Sequence, residues 1–111
     1  MDKDSIYIEE IKDFCHKVID FTKDISFQKF AGDEKLQLAV LKLLENIGEA
    51  SKRISEETRD KYPNTSWRKA AAMRDRLVHD YMDIDLEIVF DVAVHEIPLL
   101  LHSLKITNLY Q

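Results

Sequence analysis

Apolar residues recur at three- and four-residue spacings along nearly the whole chain, the mark of helices that each bury one face. Tyr7, Ile11, Phe14, Cys15, Val18 and Phe21 predict a first helix over residues 4–24, with Asp13, His16 and Asp20 together on its wet side. Serine, phenylalanine and glycine between Ser26 and Gly32 read as a connection. Asp33 is placed to cap a second helix reaching about Ile54, whose stripe is Leu36, Val40, Leu43, Leu44, Ile47 and Ile54. Residues 56–66 are polar, contain Tyr62-Pro63-Asn64, and leave room for one helical turn. Thr65 or Ser66 can cap a third helix that starts at Trp67 and turns Trp67, Ala70, Ala71, Met73, Leu77 and Val78 inward. A last helix is expected from about Asp85 to about Lys105, kinked or broken near Pro98, with Ile106–Gln111 as a fraying tail.

Helices joined by short links predict an all-α fold, an up-and-down bundle of four to five helices in one domain over 1–111. Gly48 sits inside the second helix, where glycine costs about 1 kcal/mol relative to alanine. Close approach of another helix would justify it, and the helix carrying Arg74, with small Ala70–Ala72, is the expected neighbour. Two glycines and two prolines fit few breaks. The single cysteine, Cys15, forbids an internal disulfide and lies in an apolar stripe, so it reads as a buried small hydrophobe. No basic-then-apolar leader is visible, and no apolar run approaches the roughly 18 residues of a membrane span. A cytoplasmic protein with no membrane contact is expected.

The net charge of −5 argues against a general nucleic-acid coat. Its distribution changes the picture. Residues 52–76 hold eight basic side chains (Lys52, Arg53, Arg59, Lys61, Arg68, Lys69, Arg74, Arg76) and four acidic ones (Glu56, Glu57, Asp60, Asp75). That window is +4, which leaves −9 on the rest of the chain. It is either a mixed, solvated face or the approach path of a phosphate backbone, and the acidic remainder could suit a basic protein partner.

The basic window runs straight into the residues richest in chemistry, Met73-Arg74-Asp75-Arg76-Leu77-Val78-His79-Asp80-Tyr81. Arg74 can hold a phosphate in a forked grip at any biological pH. His79 can give or take a proton near neutrality. Tyr81 adds a hydroxyl that can donate, accept or be modified. On an ideal helix the five residues from Arg74 to His79 advance about 500°, leaving the two roughly 140° apart. They could meet one phosphate only if the helix loosens before His79 or a second chain supplies the missing group. Asp80, Asp83 and Asp85 could end one helix and cap the next, which favours loosening. Glu87, Asp91, His95 and His102 share a face of the last helix and imitate a metal site, but one helix rarely supplies a full ligand shell. They read as a solvated face, and no metal or cofactor is expected.

Arg74, four residues, then His79-Asp80-Tyr81 resembles the R-x4-H-x-Y motif of HEPN-domain ribonucleases, specifically the HepT-like toxins. Asn46-Ile47-Gly48-Glu49-Ala50 resembles the family's I-G-E-A segment, Trp67 stands seven residues before Arg74 as the family's tryptophan does, and Met73 and Ile84-Asp85 flank the motif similarly. The likeness covers roughly residues 5–105. It implies a HEPN-like bundle paired as a two-fold homodimer, with copies of the motif gathered at the interface. It implies metal-independent cleavage of RNA, with Arg74 and His79 as catalytic residues. It further implies that Tyr81 is the target of a minimal nucleotidyltransferase antitoxin, which attaches AMP and silences the toxin.

Supporting roles stay open at the level of residues. Glu49 is either an exposed helix acid or a carboxylate orienting Arg74 or His79. Asp75 either aligns Arg74 or is solvated, and Arg76 could grip a neighbouring phosphate. Trp67 is most simply core, with base stacking as the lesser reading. Tyr81 could merely pack its ring. The competing class is a non-catalytic helical subunit that partners a nucleotidyltransferase and binds phosphate through Arg74 and His79 without proton transfer.

Overall fold

The computed structural model describes residues 2–78 and 83–106. It is all-α. Helix α1 spans Lys3–Thr22, α2 Phe27–Ala31, α3 Glu34–Lys52, α4 Glu56–Asp60, α5 Trp67–Ala71, α6 Met73–Leu77, α7 Leu86–Asp91 and α8 Ile97–Ser103. Between α7 and α8 the wider π-helical turn Val92–Glu96 keeps right-handed helical geometry at both ends, so α7, that turn and α8 form one rod. Pro98 lies two residues past the wide turn, in the first turn of α8. Its ring would crowd the carbonyl four residues back and it has no N–H to give, so the expected kink takes the form of an extra residue per turn.

The caps follow the sequence closely. Asp2, Ser26, Asp33, Ser55 and Asp85 each accept a hydrogen bond from a backbone N–H three residues on, satisfying a donor the first helical turn leaves free. The third-helix cap is different. Ser66 occupies the position but its side chain makes no capping bond, and the Thr65 hydroxyl instead pairs with the Ser103 hydroxyl at 2.8 Å inside the molecule.

Helix α3 lies at the centre, packed on α1, α5 and α6, while α8 closes against α1. The innermost side chains are Ile11, Cys15 and Val18 of α1, Val40, Leu44 and Ile47 of α3, Leu77 of α6, and Val89, Val92, Ile97 and Leu104 of the last rod and its end. Burial pushes the Cys15 thiol up to about 12, so it is a protonated hydrophobe at neutral pH.

Two sequence expectations need correction. The stripe of α1 is Ile8, Ile11, Cys15, Val18 and Thr22, so Phe21 lies outside it at 42% exposure. Residues 26–32 are not a plain connection: Ser26 caps a one-turn helix that drives Phe30 fully into the core, where its ring stands 5.2 Å from that of Phe90. Gly48 answers to the close approach expected of it. A Cβ there would stand 3.2 Å from the Met73 Cβ and 3.3 Å from the Ala70 carbonyl oxygen, which seats α5 and α6 directly on α3. No helix among the described residues is long and apolar enough to cross a membrane.

Candidate functional site

The motif helix is in two pieces. Ala72 departs from helical geometry (φ −88°, ψ 11°) between Ala70 and Met73, the two residues held against Gly48. Helix α6 then carries Arg74, Asp75 and Arg76 and stops at Leu77. Val78 is extended (φ −125°, ψ 115°) and pairs in antiparallel fashion with Ile84, while the Asp85 N–H donates to the Leu77 carbonyl at 3.1 Å. Asp85 at once caps α7 through the Ile88 N–H. The chain therefore leaves the helical framework at Val78 and rejoins it at Ile84. The helix does loosen before position 79, and the 140° separation of an ideal rod does not apply.

Among the expected site residues the structure describes Glu49, Arg74, Asp75 and Arg76. His79 and Tyr81, with Asp80 between them, lie outside the described residues. Arg74 and Asp75 are exposed on α6. Arg76, one residue further on, faces the other way: its Nη2 donates to both oxygens of Glu96, at 2.8 and 2.9 Å. Glu49 is exposed on α3 and sits 3.4 Å from the Lys52 amino group, an i,i+3 pair of the kind that contributes little.

Most of the basic window is committed. Lys52 pairs with Glu49, and Lys69 and Arg76 share Glu96. The Arg53 guanidinium lies 5.8 Å from the centre of the Tyr7 ring. Arg59 lies 5.8 Å from the Trp67 ring and donates to the Ser51 carbonyl at 3.0 Å. Arg68 and Arg74 are exposed, with neither ion pair nor hydrogen-bonded partner among the described residues. Trp67 itself is 8% exposed and belongs to the core. A surface path for a polyanion thus comes down to Arg68 and Arg74 on α5 and α6, with Lys61 exposed at the end of α4.

Glu96 is the residue the sequence reasoning passed over. It borders a groove of about 240 Å³ between α5–α6 and the last rod, with Met73, Ile97 and Leu100 on the apolar side and Arg76 and Lys69 on the polar side. The signal was there: Glu96 stands between buried Val92 and Ala93 and buried Ile97, so a carboxylate was bound to lie close to the apolar side of its helix. Its companions Glu87, Asp91, His95 and His102 are all exposed, with His95 and Asp91 3.9 Å apart. Among the described residues no group of three or more His, Cys, Asp or Glu side chains is arranged to hold a metal.

Comparison with known proteins agrees with the motif. The family model described as ribonuclease HepT-like matches residues 7–106. A protein of Methanocaldococcus jannaschii, provisionally named an RNase, is 42% identical over 91 residues, covering 82% of this chain and 72% of its own length. A protein of Thermococcus cleftensis named probable ribonuclease HepT is 38% identical over 92 residues, 83% of this chain and 84% of its own. Another provisionally named RNase, from Caldanaerobacter subterraneus subsp. tengcongensis, is 37% identical over 99 residues, 89% of this chain and 88% of its own. No solved structure matches the chain. With the family model spanning nearly its whole length and relatives well above 30% identity, the chain belongs to the HepT-like ribonuclease family.

Proposed function

We propose that this chain is a metal-independent endoribonuclease toxin, working as a two-fold homodimer and held in check by a minimal nucleotidyltransferase that attaches AMP to Tyr81. The observation that carries the reading is Arg74, an exposed arginine with no partner among the described residues, a few residues before the Val78–Ile84 closure. An unpaired guanidinium on a helix packed against its neighbours is poised for an anion, because nothing among the described residues competes for it.

In the reaction His79 draws the proton from a ribose 2′-hydroxyl. The 2′-oxygen attacks the adjacent phosphorus, a 2′,3′-cyclic phosphate forms, and the 5′-oxygen leaves with a proton returned to it. Arg74 neutralises charge gathering on the non-bridging phosphoryl oxygens. Of the expected supporting residues, Asp75 is exposed beside Arg74 on α6, whereas Arg76 turns away to Glu96 and Glu49 pairs with Lys52, so neither of these two touches Arg74. AMP on Tyr81, seven residues on from Arg74 in sequence, would add an anion that competes with RNA for the same positive charge.

The test is cleavage of generic RNA by the purified protein in excess chelator. Wild type is expected to cut, and Arg74→Ala and His79→Ala are each expected to lose activity by at least about 100-fold while keeping their helical circular dichroism. A folded variant of either kind that cuts at the wild-type rate overturns the assignment. No cleavage by wild type would favour a non-catalytic partner subunit instead. Incubation with a minimal nucleotidyltransferase and ATP is expected to add AMP mass to wild type and none to Tyr81→Phe; equal gain in both removes Tyr81 from the scheme.

A further inference from the structure

We propose that Glu96 is a positioning residue for the ribonuclease site, which through Arg76 holds the end of α6 in register with the last helical rod. The inference rests on the ribonuclease reading of Arg74 and His79, but the contact it concerns is independent of that reading.

The pair is built rather than incidental. One Nη of Arg76 donates to both carboxylate oxygens of Glu96, at 2.8 and 2.9 Å, across twenty residues of sequence. Both side chains are about two-thirds buried, with 31% and 28% exposure, so the attraction is far less screened than in a surface pair. The other terminal nitrogen, Nη1, is buried with no hydrogen-bond partner among the described residues, so Glu96 is the group that holds the guanidinium. Lys69, at 3.7 Å and mostly exposed, adds a weaker second cation. Glu96 comes from the π-helical turn ahead of Pro98, so the wide turn and the contact occupy the same place on the rod.

The consequence lies one residue further along. Leu77 follows Arg76, is fully buried, and accepts from the Asp85 N–H, and Val78 then pairs with Ile84. These contacts fix the chain at Val78 and Ile84, on either side of His79, which itself lies outside the described residues. The side chain two residues after Arg74 is thereby withdrawn from the RNA surface, leaving Arg74 as the cation of α6 that faces outward. Arg76 thus holds the chain up to Val78, the last described residue before His79, and Glu96 acts through Arg76.

The experiment pairs kinetics on a defined RNA oligonucleotide with amide hydrogen exchange in the full-length protein. Glu96→Gln and Arg76→Gln are each expected to lower kcat by about 10- to 100-fold with KM within about twofold of wild type, because geometry is lost and not substrate affinity. In both, the Asp85 amide should exchange faster. The charge-reversed double variant Arg76→Glu/Glu96→Arg restores an ion pair and should recover both readouts. A phosphate-binding Arg76 would behave otherwise: its replacement would raise KM, and the reversed variant, with a carboxylate at 76, would be worse still. That pattern, or Asp85 exchange unchanged in the single variants, overturns the proposal. If the wild-type protein cuts no RNA, the exchange measurements alone decide whether Glu96 holds this segment, and the ribonuclease reading fails separately.

Discussion

Gly48 is a position where one absent atom fixes how two helices meet. In an ordinary helix interior, alanine for glycine stabilises by about 1 kcal/mol. Here the added Cβ would press on the Met73 Cβ at 3.2 Å and the Ala70 carbonyl oxygen at 3.3 Å, neither of which is the free end of a flexible side chain. Gly48→Ala is therefore expected to gain nothing in urea unfolding, and Gly48→Val to lose about 2–3 kcal/mol by overpacking. A full kcal/mol of stabilisation by alanine would mean that α3 and α5–α6 do not touch there. The glycine was legible in the sequence because its cost demanded a reason. The cations were less so, since residue type does not reveal pairing. Eight basic side chains in residues 52–76 look alike in a string of letters, yet Arg59 lies beside Trp67 and Arg76 is taken by Glu96, while Arg68 and Arg74 face outward.

At the level of elements, long amphipathic helices declare themselves and short ones do not. Helices α1 and α3 begin and end within about two residues of where their periodicity and caps place them. Helix α2 spans only five residues, too few for a 3.6-residue period to register, and its evidence is a cap and one phenylalanine. The motif helix reads as one rod because alanines carry no break signal, and it divides at Ala72 for a tertiary reason, the seat on Gly48. A tie invisible to local reasoning joins α1 to α4. The Asp4 carboxylate accepts from the Ser55 hydroxyl at 2.5 Å and the Thr58 hydroxyl at 2.6 Å, across half the chain. The Ser55 hydroxyl, then that of Thr58, hold its pKa below the usual 3.8. A carboxylate whose folded value is depressed contributes stability that is fully present above 3.8 and is lost as pH falls through the lower folded value. The difference in Tm between wild type and Asp4→Asn should accordingly be constant near neutrality and close only below pH 3.8. A gap that closes well above that pH would place the effect elsewhere.

For the molecule as a whole the sign of the charge sets a problem, since a chain of net −5 is proposed to act on a polyanion. Residues 52–76 carry +4 against −9 elsewhere, but internal pairing takes up much of that surplus. RNA should therefore be drawn to a narrow surface around α5 and α6 and repelled by the rest, giving few phosphate contacts and a shallow salt dependence. With two or three contacts on single-stranded RNA, log(kcat/KM) against log of salt concentration should fall with a slope of roughly −1.5 to −2. Arg68 is exposed and unpaired among the described residues, and it lies on the helix just before the motif. Arg68→Gln should flatten that slope by about 0.7 and raise KM, with kcat little changed, because one counterion fewer is released when substrate binds. Glu49 and Lys52 already neutralise each other, so Lys52→Gln should leave the slope close to wild type. Equal flattening by both substitutions would mean that net charge, and not the surface around α5 and α6, governs the approach of RNA. No change with Arg68→Gln would take Arg68 off the RNA path and leave Arg74 as its cation on this surface.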